Sequence, residues 1–377
     1  MVGWRSLSVL LSLVLGTCII AGCGRRDEQA AICPLTDAPL ESYQGELLDI
    51  AFGAASAIPR DPHIKSRSQA QAAVVAACLE LNQPRRALSY IEQIEGWRRG
   101  MAYADLAHHF VRTDSKIDVE PYLSLATRIA EETGDWQKDR INARVAVIQG
   151  MSRPVDFDAE METLAKAASS QQFDAVKEAL ETYARLFDRA YGDVERRRRV
   201  EESIHDIWGS VPGFVRLDLV IRMIESSLAH SDRIKALELV DEAKTILDPA
   251  GWQPTIEIPL RARLAEFRFR AGDQERACEE AKVALEMFDA VRDQIANIYR
   301  AQTLRPTAEA YQAMGQLDMA CGLYARTIEA GMENPNSRPR AEDLAATCCS
   351  MAVRAAKPGP QLLGRIHEIR NGLGDPW

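Results

Sequence analysis

Apolar residues recur at three- and four-residue spacing along almost the whole chain after residue 41, and no other feature constrains the fold as strongly. Each such segment carries one apolar stripe over about 10 to 19 residues, as in Arg233–Leu247 and Gln274–Phe288. Brief breakers such as Asn82-Gln83-Pro84 and Ala271-Gly272-Asp273 separate the segments. No alternating run carries the turn chemistry of a β-hairpin. The pattern predicts an all-α body of antiparallel helix hairpins.

Small residues follow two of the turns at the same distances. Gly272 precedes Ala277 by five residues and Ala284 by twelve. The same frame returns after a later turn, at Gly315, Ala320, Tyr324 and Thr327. Two helices joined by a tight turn approach closely where they cross, so small side chains are needed at the crossing and larger ones fill the groove beside it. These residues are candidate turn and crossing positions of a repeat, and looser copies start at Ser231 and Asn82.

This frame resembles the tetratricopeptide repeat, in which an aromatic residue, here Tyr311, lies ahead of the turn. The resemblance implies an α-solenoid, a superhelix of stacked hairpins that presents a long surface to a partner. The turns are 43 and 41 residues apart instead of about 34, and Ala265 and Ala308 stand where the family places a glycine. We expect degenerate hairpin repeats over residues 41–212 and tetratricopeptide-like repeats over 213–373. A non-repetitive helical bundle is the alternative, because alanine also reflects helix propensity.

Composition limits the class of protein and of partner. Hydrophobic residues make up 46% and charged residues 27% of the 377 residues, which is typical of a folded chain and not of a disordered or multi-span membrane protein. Lysine and arginine total 46 against 55 aspartate and glutamate, a net charge of −9. A protein that binds the phosphate backbone needs a basic face that releases counterions. We therefore expect no nucleic-acid partner.

An uncharged stretch of 19 residues, positions 6–24, lies near the N-terminus and ends in Ile20, Ala21, Gly22 and Cys23. This resembles the bacterial lipoprotein signal, in which an aliphatic and two small residues precede a cysteine. The resemblance implies cleavage between Gly22 and Cys23, which makes residues 1–22 a signal peptide, and a thioether-linked diacylglycerol on Cys23. The residue types suit this chemistry, because small side chains fit a peptidase cleft and a thiolate is the required nucleophile.

The acylated cysteine is expected to anchor the body to the cell envelope. Residues 23–40 form a tether, since Cys33-Pro34 and Ala38-Pro39 block a continuous helix. Two or three acyl chains anchor stably. Gly24 is not the aspartate that retains many lipoproteins in the inner membrane, which favours the periplasmic face of the outer membrane in a Gram-negative cell. An uncleaved transmembrane anchor and ordinary signal cleavage remain alternatives, because 19 uncharged residues also reach the length of a membrane span.

The sequence lacks the common active-site signatures. There is no phosphate-binding P-loop, no dinucleotide-binding glycine motif, no GxSxG elbow and no HExxH. Adjacent His108 and His109 point about 100° apart on a helix and cannot easily chelate one ion. We expect no catalytic residue, no cofactor and no metal.

Three further features allow both a structural and a functional interpretation. The run Arg196–Arg199 spreads around a helix and is flanked by glutamates, which favours a self-neutralised surface over an anion site. Six cysteines lie beyond the lipoprotein signal. We expect them to act as small apolar residues, and the alternative is one disulfide that joins Cys321 to either Cys348 or Cys349. The six are Cys33, Cys78, Cys278, Cys321, Cys348 and Cys349. Four tryptophans are expected to pack between hairpins, although one or two could line a groove: Trp97, Trp136, Trp208 and Trp252.

These observations together predict an exported, lipid-anchored scaffold or assembly factor that binds a protein or peptide through its helical-repeat surface. A solute- or glycan-binding lipoprotein is the alternative, and it needs a closed, aromatic-lined pocket. An enzyme would need convergent carboxylates in such a pocket.

Overall fold

The computed structural model describes residues 35–151, 156–168, 173–249 and 251–377, and every regular element within these ranges is helical. The prediction of an all-α fold is confirmed. The described residues form one compact unit. No helix in the described ranges is long and apolar enough to cross a membrane.

Seventeen α-helices are found in the described ranges. They are α1 Ser42–Ala57, α2 Ile64–Glu80, α3 Pro84–Ile91, α4 Trp97–Arg112, α5 Glu120–Glu131, α6 Asp135–Met151, α7 Phe157–Ala168, α8 Phe173–Arg189, α9 Val194–Asp206, α10 Gly213–Ala229, α11 Arg233–Leu247, α12 Pro254–Arg270, α13 Gln274–Val291, α14 Asn297–Ala313, α15 Leu317–Met332, α16 Ser337–Val353 and α17 Pro360–Asn371. Short 3₁₀ turns follow α9 at Trp208–Ser210 and α13 at Arg292–Gln294.

The helices form two layers. Even-numbered helices pack on one another in the order α8, α10, α12, α14, α16, α2, α4, α6, and each odd-numbered helix packs on one or both of the even-numbered helices beside it. We call the even-numbered set the inner layer, because in a curved stack of hairpins the layer whose members touch is on the inside of the curve. The odd-numbered helices form the outer layer. This arrangement is an α-solenoid of antiparallel helix hairpins, as the sequence predicts.

The turns from inner to outer helices share one backbone conformation. Six of them contain a residue with φ between +49° and +104°, and these residues are Asn82, Asp114, Ser231, Gly272, Gly315 and Ala355. After each of them the next N–H donates to the carbonyl five residues earlier, as from Gln316 to Tyr311 at 3.0 Å. This bond satisfies a carbonyl that the helix end leaves unpaired. The predicted turn residues Gly272 and Gly315 therefore occupy positions where glycine is the least strained choice.

Ala355 occupies the left-handed turn position with a side chain that disfavours it, at φ +52°. Ala355→Gly is expected to raise the free energy of unfolding by about 1 kcal/mol, because glycine adopts this conformation without steric cost. Gly315→Ala, at φ +73°, is expected to lower it by about the same amount. Urea unfolding of both variants tests the pair. Changes of the same sign in both would contradict the assignment.

Small residues at the hairpin crossings are fully buried, as their role in close approach requires. Ala277, Ala281 and Ala284 of α13 are inaccessible to solvent. Ala320 and Tyr324 of α15 are buried in the same way. The predicted crossing residues thus lie inside the structure between helices and do not line an open surface.

The first helix packs against the sixteenth, which the sequence analysis did not anticipate. The Gln44 amide of α1 donates to the carbonyl of Ala352, at the end of α16, at 2.8 Å. Helix α1 buries Leu47, Ala51 and Ala54 completely, at the same spacing as the three alanines of α13. It occupies the place of an outer helix antiparallel to α16. We call this packing of α1 on α16 the seam.

The seam changes the spatial order of the hairpins. Helix α17 packs on α1 and α16, and Arg365 of α17 pairs with Glu329 of α15 at 2.8 Å. The first and last helices of the described chain thus meet within the stack. The two ends of the stack are α6 and α7, whose described residues share no extensive packing.

Candidate partner-binding surface

Three successive helices of the inner layer each expose one large apolar side chain within their first three residues. These are Phe214 of α10, Ile256 of α12 and Tyr299 of α14, which we call the apolar row. Beside Phe214 a groove of about 380 Å³ runs between α8 and α10, with Leu180 and Leu219 among its lining residues. Exposed apolar side chains that repeat on neighbouring helices are typical of a surface that contacts a partner.

The same three helices carry a second row, of glutamates. Glu225, Glu266 and Glu309 each lie six residues before the left-handed turn residue of their helix. Ten residues separate the apolar row from the glutamate row in α12 and α14, which corresponds to about 15 Å along the helix axis. The two rows therefore cross three hairpins in parallel.

Arginines of α12 and of the turn after α16 pair with the glutamate row. Glu225 accepts a hydrogen bond from Arg263 of α12 at 2.6 Å. Glu266 accepts one from Arg354, the residue that follows α16, also at 2.6 Å. Glu309 lies 3.8 Å from the same guanidinium. A single arginine thus joins two carboxylates from two helices, which ties α12, α14 and α16 together through charge.

The sequence explains why Arg354 serves two carboxylates. Arg263 lies nine residues before the turn residue of α12, and the matching position of α14 is Pro306, which cannot pair with Glu266. Glu266 has only 2% of its surface exposed. Burial raises the pKa of its carboxyl, and the charge of Arg354 opposes that shift. A buried carboxylate needs such a partner, because an unpaired charge in the interior is strongly unfavourable.

A serine of the inner layer and a tyrosine of the outer layer also hold the glutamate row. The Ser350 hydroxyl of α16 donates to Glu309 at 2.7 Å, and the Tyr324 hydroxyl of α15 lies 2.9 Å from the same serine. Burial raises the pKa of Tyr324 above its usual range, so this residue remains a neutral phenol. The predicted crossing residue Tyr324 therefore helps to position Glu309 through Ser350.

A second buried carboxyl, Asp343 of α16, lies near this surface. Its Oδ2 atom is buried without a hydrogen-bond partner, beside a small cavity of about 10 Å³ between α15, α16 and α17. Burial raises the pKa of Asp343 to about 7, the charge of Arg305 opposes the shift and that of Glu342 adds to it.

The raised pKa of Asp343 predicts a pH dependence of stability. The folded state holds the proton up to about pH 7 whereas the ordinary value is 3.8, so the free energy of unfolding falls as the pH rises through that window. Asp343→Asn is expected to flatten this fall and to add about 1 to 3 kcal/mol at pH 8. Urea unfolding at pH 4 and pH 8 measures both effects. Glu342→Gln, at a half-buried neighbour, is the control, and equal pH slopes in the wild type and Asp343→Asn would contradict the assignment.

The remaining predicted features have structural contacts. His108 faces Arg144 at 3.1 Å, and burial lowers the pKa of His108 to about 4. His109 bonds to Asn82 at 3.0 Å. Each arginine of Arg196–Arg199 pairs with a carboxylate, as the flanking charges predict. Within the described residues no group of three histidine, cysteine or acidic side chains is placed to hold a metal.

The cysteines and tryptophans separate into buried and exposed members. Cys348 and Cys349 are buried, Cys321 is exposed, and all described cysteines are free, so the disulfide considered between these helices does not form. Trp252 packs against Gly213, where an added Cβ would lie 3.6 Å from the ring, as expected for a residue between hairpins. Trp136, in contrast, is 56% exposed.

The lipoprotein signal cannot be placed in the fold. Ile20, Ala21, Gly22 and Cys23 lie outside the described residues. Sequence reasoning found the turns and crossings but missed the two rows of the inner layer, whose signal is the repetition of a glutamate six residues before each of three turns. Comparison with protein-family models, curated proteins and solved structures gave no match.

Proposed function

We propose that this protein is an exported lipoprotein that acts as a scaffold, binding a protein or peptide on the inner layer of its solenoid. The observation that carries the proposal is the pair of parallel rows on α10, α12 and α14, one apolar and one charged. The proposal assigns no catalytic step and no cofactor to the protein.

The two rows favour an amphipathic partner segment. Its apolar side would cover Phe214, Ile256 and Tyr299, and its polar side would meet the paired charges about 15 Å away along the helices. The exposed guanidinium of Arg270, 3.8 Å from Glu266, lies in the charged row and remains available to an acidic side chain. Solenoids suit such partners because they offer a long surface relative to their core.

The position of the first described residues supports tethering at one edge of the solenoid. The Ala38 N–H donates to the carbonyl of Asn82 at 3.0 Å, and Arg85 donates to the carbonyl of Leu35 at 2.9 Å. The chain therefore enters beside the turn between α2 and α3. Eleven residues lie between Cys23 and Leu35, and the twelve residue steps span at most about 40 Å. An acyl anchor on Cys23 would hold that edge within this distance of the membrane.

The partner is tested by crosslinking and co-purification of the full-length, acylated protein from its native membranes, followed by mass spectrometry. Ile256→Glu on the inner layer is expected to reduce recovery of the partner at least tenfold. Ile234→Glu is the control, because Ile234 is an exposed isoleucine on outer helix α11. Equal recovery with both variants, or the absence of any recurrent partner, would contradict the proposal.

The anchor is tested separately by palmitate labelling in cells. Cys23→Ser is expected to abolish the label, because serine offers no thiolate for acylation. The precursor is then expected to stay uncleaved at the lipoprotein signal. Persistence of the label in this variant would exclude acylation at Cys23. The result does not depend on the inner-layer surface, so the two parts of the proposal can fail independently.

A further inference from the structure

Two tryptophans and two arginines meet in a patch at the N-terminal ends of α4 and α6, where Trp136 and Arg140 are exposed and Trp97 and Arg98 are half-buried. Trp97 and Trp136 meet edge to face with their ring centroids 5.3 Å apart. The guanidinium groups of Arg98 and Arg140 lie over the Trp97 ring, 4.8 and 5.5 Å from its centroid. We call these four residues the Trp–Arg patch. It lies in the part of the solenoid farthest along the stack from the apolar row.

The two arginines of the patch are not used in ion pairs. Neither Arg98 nor Arg140 contacts a carboxylate in the described part of the chain, and Arg98 has only a 3.4 Å contact to the Gln69 amide oxygen. Many other arginines pair with acids, as Arg198 does with Glu195 at 2.6 Å. Burial and the charge of Arg140 lower the pKa of Arg98, which places two like charges side by side without compensation. An anionic ligand would remove that repulsion.

The two guanidinium groups lie over the Trp97 ring in a position that suits binding of an anion. A guanidinium that lies over an indole uses its flat face, so its N–H groups stay free in the ring plane for a carboxylate or a phosphate. More than half of the Trp136 surface is open, 56% of its area. An indole face carries negative charge density and attracts the polarised C–H bonds of a sugar ring. The patch therefore combines a site for acid groups with a flat apolar platform.

We propose that the Trp–Arg patch binds an acidic polysaccharide, with a sugar ring on Trp136 and its acid group on Arg98 and Arg140. The acid group is a carboxylate or a phosphate, which share this recognition chemistry. The Trp–Arg patch lies outside the proposed partner-binding surface, so polysaccharide binding would be a second activity of the protein. An envelope protein with both would hold its partner next to an anionic glycan.

The patch and the tether lie at different edges of the solenoid. The chain enters beside Asn82, past the C-terminal end of α2. The patch lies at the opposite edge, because the inner helices α2 and α4 run in the same direction and the patch is at the start of α4. The 17 residues of α2 separate the two edges by about 25 Å.

The test is titration of the full-length, acylated protein in detergent with soluble polymers, followed by calorimetry. Polygalacturonate carries carboxylates, phosphomannan carries phosphates, dextran is neutral, and polyacrylate carries carboxylates without sugar rings. We expect binding to one or both acidic polysaccharides, and a loss of at least tenfold in affinity for Trp136→Ala and for the double variant Arg98→Gln/Arg140→Gln. Which polymer binds identifies the acid group.

Control variants separate the patch from general charge and folding effects. Arg276→Gln, at an exposed arginine of α13, and Phe214→Ala, in the apolar row, are expected to keep full polysaccharide affinity. Thermal unfolding of all variants shows whether the fold is retained. Equal affinity for polyacrylate and polygalacturonate, an unchanged affinity in Trp136→Ala, or no binding to either acidic polysaccharide would overturn the proposal. Patch-dependent binding to phosphatidylglycerol vesicles instead of polysaccharide would also overturn it.

Discussion

Phe52→Ala is expected to lower the free energy of unfolding by about 3 to 5 kcal/mol, the usual cost of removing a buried aromatic ring. Phe52 lies in α1, is buried, and stacks on Tyr90 of α3 with ring centroids 4.0 Å apart. The substitution removes both the ring's apolar contacts and this stacking. Such a loss is expected only if α1 is part of the core and not an appendage of the tether.

The matched control for Phe52→Ala lies in the same helix. Ala57 is exposed at the last residue of α1, so Ala57→Ser is expected to change stability by no more than about 0.5 kcal/mol. Urea unfolding of the full chain measures both variants. A loss below about 1 kcal/mol for Phe52→Ala would mean that α1 does not contribute to the cooperative unit, since buried aromatic truncations cost more.

Tyr324→Ala is expected to have an effect of similar size, about 3 to 5 kcal/mol. Tyr324 is fully buried where α15 crosses its neighbours, and its hydroxyl reaches Ser350, which in turn bonds Glu309. The alanine variant would open a cavity and would also remove one support of the glutamate row. Thermal and urea unfolding measure the stability, and co-purification of the partner measures the surface.

The variant Tyr324→Phe separates packing from hydrogen bonding. It keeps the ring and removes only the hydroxyl, so the expected loss is about 0.5 to 1.5 kcal/mol. If both Tyr324 variants lose the same amount, the hydroxyl and not the ring carries the energy, and the role of Tyr324 as a crossing residue would be wrong.

The hairpins were predictable because their signals are local. The bounds of α11 follow from sequence, Arg233–Leu247, since Asp232 caps the helix by accepting from the Lys235 N–H at 3.0 Å. The turn residues were predictable for the same reason. The left-handed turn residue and the small residues that follow it lie within twelve positions of one another. The looser copies at Ser231 and Asn82 adopt the same positive φ as the two glycines.

The seam was not predictable from these local signals. Helix α1 has the spacing of an outer helix in Leu47, Ala51 and Ala54, but its partner is α16, and the Gln44 and Ala352 that bond there are 308 residues apart. An amphipathic pattern shows that a helix needs a partner and does not show which one. Contacts of this separation depend on the closure of the whole stack.

The candidate surface was predictable only in part. The glutamates of α10, α12 and α14 share one distance to their turns, so the repeat frame places them in a row. The role of Arg354 was not predictable from the sequence. Helix α14 has Pro306 at the position where α12 has its pairing arginine, so Glu266 pairs with Arg354 instead. The proline interrupts the repeat locally, and the compensation comes from a residue beyond the next inner helix.

The most direct test of the account is photocrosslinking in cells from each layer of the solenoid. A photoreactive benzoyl-phenylalanine at Gln302, which is exposed on inner helix α14, is compared with the same residue at Lys282, which is exposed on outer helix α13. The account predicts one recurrent adduct with an envelope protein from Gln302 and none from Lys282. Adducts from Lys282 alone, or the same adducts from both positions, would contradict the claim that the inner layer binds the partner.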